Sequence, residues 1–170
     1  MTINRYTTHI PAFQDVFAAK KFDRILEFGL GHGSTPFLLE NCSHLTSVEM
    51  QSEEWYERVV SSLGERKDWK PIVSIGPFDF LELPIFDQTY DLVFVDGHGD
   101  SRPEVINKYS GLCDTIVTHD FETSSYRWHL INLDDSYKRF VYKALDPWTA
   151  VFTRDADLIT HLLKIDKWVT

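Results

Sequence analysis

Apolar residues in this chain fall into short continuous runs, separated by longer stretches in which they recur every three or four positions. Continuous runs suit strands buried on both faces, and the wider spacing suits the helices that cover them. Residues 25–28, 45–48, 72–75, 90–95 and 115–118 read as five successive strands. Ser52 caps a helix in which Trp55, Val59 and Leu63 recur, Glu53 and Glu54 suit its positive end, and Gly64 stops it. Ser101 and Glu104 form a capping box for a helix carrying Val105, Ile106, Tyr109 and Leu112. Ahead of the first strand, Pro11 opens a helix whose Phe13, Val16 and Phe17 face the sheet, so residues 1–21 read as a helical lid. Residues 139–145 and 149–153, joined through Asp146, Pro147 and Trp148, are too close for a parallel crossover and predict a hairpin. Leu158, Ile159, Leu162 and Leu163 predict a closing helix within residues 155–170. The expectation is one α/β domain over residues 1–170, its core sheet within residues 22–154 and helices on both faces.

Chemistry concentrates where the first strand ends. Gly29, Gly31 and Gly33 alternate with Leu30 and His32, then Ser34, Thr35 and Pro36 start a helix, and the second strand closes on Glu49 and Met50. Glycines at such a turn let the backbone approach a ligand, and the helix start offers unpaired N–H donors. An acid about 20 residues beyond the first glycine is placed to hold a ribose diol. A dinucleotide fingerprint requires its third glycine at the position of Ser34, which disfavours NAD.

With Glu27 before the loop, the segment E-x-G-x-G-x-G resembles the class I S-adenosylmethionine (SAM) dependent methyltransferases. The resemblance covers most of the chain, from about residue 22 to residue 154. It implies a Rossmann-like seven-stranded sheet of order 3-2-1-4-5-7-6 with strand 7 antiparallel. It also implies SAM as cofactor, with the loop under its methionine part and Glu49 on its ribose. His32, inside the loop, is placed to meet the cofactor's carboxylate. Phe78 and Asp79, after the third strand, fall where the family lines the adenine; the alternative is that Phe78 and Phe80 are core residues.

A second constellation is VDGHGDSRPEV followed by THDFE. Asp96, Gly97 and His98 after the fourth strand, and His119 and Asp120 after the fifth, face the crevice at the strands' carboxyl ends. This resembles the small-molecule O-methyltransferase branch of macrocin and catechol type, with His98 one residue closer to its glycine than usual. Asp96 and Asp120 are the pair that would hold Mg²⁺ or Ca²⁺ through hard oxygens. The family's third ligand is Asn, here replaced by Phe121. Metal-free chemistry with His98 or His119 as base is therefore favoured. His9, His44, His129 and His161 have no ligand spacing and read as surface or packing residues.

Charge and cysteine content narrow the partners. A net charge of −9 argues against a duplex nucleic-acid surface. Cys42 and Cys113 show no metal-pair spacing or disulfide framework and read as thiols of a reducing compartment. With no apolar leader and no membrane span in the sequence, a cytoplasmic enzyme is expected. The expected acceptor is a small or sugar-like molecule carrying a hydroxyl, with Tyr126, Arg127 and Trp128 at its rim. Two other functions compete. One is a non-catalytic SAM-binding regulatory subunit, since the connection over residues 121–138 is short and a partner, including a second copy, would wall the acceptor. The other is an oxidoreductase binding NAD or a nucleotide sugar.

Overall fold

The computed structural model describes residues 6–170. Its strands are β1 Arg24–Phe28, β2 His44–Glu49, β3 Trp69–Val73, β4 Leu92–Val95, β5 Thr115–His119, β6 Lys138–Tyr142, β7 Thr149–Thr153 and β8 Trp168–Val169. They form one sheet in the order β3-β2-β1-β4-β5-β7-β6-β8. The first five strands run parallel, and β7 runs antiparallel to both β5 and β6. The order over seven strands and the direction of β7 are those expected from the sequence.

The helices are α1 Ile10–Ala19, α2 Ser34–Asn41, α3 Glu53–Leu63, α4 Arg102–Tyr109 and α5 Ala156–Leu162. Alternation along the strands divides them between two cores. Ile25, Leu92, Phe94 and Val117 face Phe13 of α1, Leu38 of α2 and Leu158 of α5. Leu26, Phe28, Val93, Val95 and Ile116 face Val105, Ile106 and Tyr109 of α4. A strand buried on both sides needs no polar alternation, which explains the unbroken apolar runs. The Phe13 ring lies edge-on against Phe94, 4.8 Å between centroids, and fixes α1 on the sheet. Residues 1–5 of the expected lid lie outside the described residues.

Three local expectations are corrected. Residues 155–170 are not only a helix: Trp168 and Val169 add an eighth strand, antiparallel to β6. The third strand begins at Trp69 and ends at Val73, earlier than the apolar run over residues 72–75 indicates. As the sheet's edge, β3 tolerates Pro71 and exposes one side, so its pattern is weak. Finally, Ser101 makes no side-chain cap for α4; its hydroxyl donates to the His98 carbonyl at 2.9 Å. A short 3₁₀ turn over Gly99–Ser101 precedes α4 and diverts the hydroxyl.

The register sets up the site. Phe28 of β1 pairs with Val95 of β4, and Val95 pairs with Thr118 of β5. The loops leaving these three strands therefore emerge side by side at the carboxyl end of the parallel strands. Among the described residues no helix is long and apolar enough to cross a membrane.

Candidate active site

The glycine loop is shaped by three different contacts. Gly29 has φ +84°, and a Cβ there would stand 2.5 Å from the Asp96 carbonyl oxygen. Only glycine accepts both the conformation and this approach of the β1 and β4 loops. A Cβ on Gly33 would meet the Thr7 methyl at 2.8 Å, so this glycine lets the segment before α1 close over the loop. Gly31 meets only the Ser34 hydroxyl, at 3.7 Å, and leaves the loop's outer side open.

Glu27 supports this loop from inside the core. It is fully buried, and its carboxylate accepts from the hydroxyls of Ser34 at 2.5 Å, Thr35 at 2.9 Å and Ser47 at 2.6 Å. Thr35 Oγ1 accepts in turn from the Gly31 N–H at 2.8 Å, so the chain Gly31–Thr35–Glu27 ties the loop to β1. Trp69 Nε1 donates to Ser47 at 3.0 Å and extends the network to β3. With no cationic partner among the described residues, burial pushes the Glu27 carboxyl up to about 7, against the pull of the three hydroxyls. Glu27 thus positions the loop and does not line the cleft above it.

That cleft has a volume of about 920 Å³ and runs from Gly29–Ser34 and Glu49 at one end to Asp96, His119 and Asp120 at the other. Glu49 Oε1 accepts from the backbone N–H groups of Gln51 at 2.8 Å and Ser52 at 3.2 Å. Burial raises its pKa, opposed by these N–H groups. Ser52 also caps α3, accepting from Trp55 N–H at 3.1 Å, so Glu49 and the helix start are braced together. Trp55 Nε1 donates to the Leu30 carbonyl at 2.8 Å, and its ring meets His32 edge-on, 5.1 Å between centroids. Leu30, His32 and Ser34 all line the cleft.

The other end is a charge cluster organised by Arg102. Its guanidinium donates through Nε to the Gly97 carbonyl at 3.2 Å and through Nη1 to the His119 carbonyl at 2.6 Å. Nη2 lies 3.1 Å from Asp96 Oδ1 and 3.1 Å from Asp120 Oδ2. The Tyr126 ring covers the guanidinium at 4.5 Å, and Gly99 lets it approach. Asp120 adopts φ +56°, a left-handed conformation that Asp tolerates better than most residues and that turns its carboxylate toward Arg102. His119 is buried, with Nδ1 3.5 Å from both Asp96 Oδ2 and Asp120 Oδ1. Its Nε2 lies 2.7 Å from Thr8 Oγ1, and Thr8 donates to the Pro147 carbonyl at 3.0 Å. Because the Thr8 proton is committed to Pro147, its oxygen accepts from Nε2–H, so the neutral ring carries its proton on Nε2 and Nδ1 donates to Asp96 only in the charged ring.

Burial opposes ionisation of Asp96, but the hydrogen bond from His119 and the charge of Arg102 outweigh it and hold the carboxyl at about 2. Burial and the neighbouring Asp96 raise Asp120. His119 is raised too: burial acts against its charge, and the bond to Asp96 more than offsets this. The oxygen pair expected for Mg²⁺ or Ca²⁺ is therefore already bridged by a cation. Phe121 packs against Trp128 and Phe152 and offers no third oxygen. The residues present do not fit a hard cation held between Asp96 and Asp120.

Besides Glu27, four candidates read from the sequence stand away from the cleft lining. Met50 is buried beneath Gly97, whose Cβ would meet its sulfur at 2.7 Å. Phe78 is 45% exposed, and Asp79 opens a 3₁₀ turn that sends Phe80, not Phe78, into the core. His98 caps the turn before α4, its Nδ1 accepting from Asp100 N–H at 3.3 Å, so it is not brought to the cleft. Conversely, the structure brings in Arg102, Trp55, Thr7 and His9. His9, read as a packing residue, lies 4.8 Å from the His119 ring between centroids. Burial, and next His119, push its pKa down to about 3, so it is neutral.

No protein-family model matches the chain, and no curated protein matches it. Solved structures do. A protein described as a caffeoyl-CoA O-methyltransferase from Staphylococcus aureus is similar with a TM-score of 0.63 and 14% identity, over 90% of this chain and 85% of that one. An rRNA methylase from Streptococcus thermophilus gives 0.61 and 16%, over 90% and 98%. The N-methyltransferase NodS from Bradyrhizobium japonicum, in complex with S-adenosylhomocysteine (SAH), gives 0.60 and 15%, over 85% and 84%. Their descriptions name oxygen, RNA and nitrogen as acceptors, so the similarity shows a fold and not an acceptor. On its strand order, the direction of β7 and this similarity, the chain has the Rossmann-like methyltransferase fold.

Proposed function

We propose that this chain binds SAM and transfers its methyl group to a hydroxyl oxygen of a small acceptor. The observation that carries this reading is the two-ended cleft, with a glycine loop and Glu49 at one end and an imidazole–carboxylate–guanidinium cluster at the other. Its volume suits a ligand of nucleoside size beside a second molecule. SAM supplies an electrophilic methyl group on a sulfonium centre. In this reading Glu49 accepts from the ribose hydroxyls, and the open side of Gly31 admits the cofactor's methionine part. Asp96 stays ionised at the acceptor end, where its backbone meets Gly29 of the cofactor loop, and orients the cationic cofactor against the acceptor. Positioning for in-line attack accounts for most of the rate. The acceptor proton becomes strongly acidic only as the C–O bond forms, and the ring nitrogens of His9 and His119 are the groups at that end to receive it. Arg102, spent on Asp96, Asp120 and two carbonyls, has no donor pair left for a phosphate or carboxylate. This favours an uncharged hydroxylated acceptor, and the net charge of −9 disfavours RNA.

The test is turnover of methyl-labelled SAM with a panel of sugars, catechols and other hydroxylated molecules, read as SAH formed above the protein-free rate. Asp96→Ala should abolish it while SAH binding persists. SAH binding without turnover on any acceptor would assign the chain to a regulatory role.

A further inference from the structure

We propose that His9, Asp96 and His119 form a site for a divalent transition metal, zinc or a close relative, at the acceptor end of the cleft. It rests on the acceptor reading above for its role, but its existence is tested separately. The ligand atoms of the three residues lie within 4.8 Å of one another. Both ring nitrogens of His9 are buried and have no hydrogen-bond partner among the described residues, although the residue lines the cleft. Phe13 and Phe94, each 5.3 Å from the His9 ring, close its apolar sides, and His119 stands on a third. A buried imidazole left wholly unpaired costs free energy that a ligand at either nitrogen would recover.

The surroundings prepare the other two ligands. Nε2–H of His119 donates into the Thr8–Pro147 relay, so the lone pair of the neutral ring is on Nδ1, facing Asp96. Fixing one imidazole nitrogen through an outer hydrogen bond is how proteins orient metal-binding histidines. Arg102 holds Asp96 by Oδ1 and leaves Oδ2 on the His119 side. Two carboxylates against one guanidinium leave one negative charge facing that lone pair, which a metal ion there balances in place of a proton on the ring. Two imidazoles and one carboxylate, with room for another ligand, form a borderline donor set that selects zinc-like ions over Mg²⁺. The open position would admit the acceptor oxygen, and a metal there would lower the pKa of the hydroxyl it receives, so that the proton leaves to solvent and neither histidine is needed as its base.

The test is a Co(II) titration of the tag-free, chelator-stripped chain, followed by visible absorption, with SAH binding measured in parallel. The expected result is one Co(II) per chain, displaced by Zn(II) and not by millimolar Mg²⁺. His9→Ala should weaken it by about 100-fold or more, and Thr8→Val, which frees the His119 ring, by about 10- to 100-fold. SAH affinity should survive in both. Absence of Co(II) binding by a chain that binds SAH, or unchanged affinity in both variants, would overturn the proposal and leave a proton on His119 as the balancing charge. Metal binding as described in a chain that binds no SAH would instead sink the methyl-transfer reading alone.

Discussion

Glu27 on β1 and Asp96 just past the end of neighbouring β4 are acids a few residues apart across the sheet, yet one is pushed up to about 7 and the other held down to about 2. Among the described residues Glu27 is hydrogen-bonded by hydroxyls alone, which do not offset its desolvation. Asp96 has an imidazole and a guanidinium beside it and keeps access to the cleft. The difference separates scaffold from chemistry: the acid without a cation holds a loop in place, and the acid with cations presents a charge to a ligand.

The comparison is broken most strongly through pH. A carboxyl whose folded pKa is raised from 4.5 to about 7 binds an extra proton in the folded state between those values. Its stabilising contribution is complete below pH 4.5 and is lost as pH rises through 7, an effect of about 3 kcal/mol. Glu27→Gln stays neutral, with its amide toward Ser34 and its carbonyl toward Thr35 and Ser47. The stability of wild type relative to Glu27→Gln, from urea midpoints between pH 4.5 and 8, should therefore fall steadily as pH rises. A constant difference would show that Glu27 ionises normally.

At the other end, Arg102→Met leaves Asp96 and Asp120 without their shared cation. A fully buried pair broken this way costs about 3–5 kcal/mol, but Asp96 and Asp120 are 22% and 23% exposed, so about 2–3 kcal/mol is expected. The loss should shrink at low pH, where the carboxylates protonate, opposite in sign to the Glu27 effect. Trp55→Phe, which removes one hydrogen bond to the Leu30 carbonyl, should cost only about 1 kcal/mol in a melting experiment. A larger loss would mean that Trp55 braces the whole cofactor end.

The two ends also differed in how legible they were. Gly29, Gly31, Gly33 and Glu49 lie on one strand–loop–helix–strand unit, so contiguous sequence displays them in the order in which they fold. The acceptor end is assembled from three distant segments. His9 meets His119 only because α1 docks on β4 through Phe13, and a lone histidine before a helix carries no local sign of this. Arg102 sits in a stretch whose Ser101 and Glu104 suggest a capping box, which hid the buried guanidinium. The alternative that puts both Phe78 and Phe80 in the core holds for Phe80 alone, because the segment is a 3₁₀ turn, where the strand pattern of alternate faces does not apply. The two-residue β8 is too short for any periodicity to mark it.

The account stands most directly on calorimetric titration of the intact chain with SAH, set against NAD and repeated with Glu49→Ala. A carboxylate accepting from ribose hydroxyls contributes about 1.5–3 kcal/mol, so the variant should bind SAH about 10- to 150-fold more weakly, with its fold unchanged and no heat from NAD in either protein. SAH binding equal in wild type and Glu49→Ala, or NAD binding in place of SAH, would contradict it.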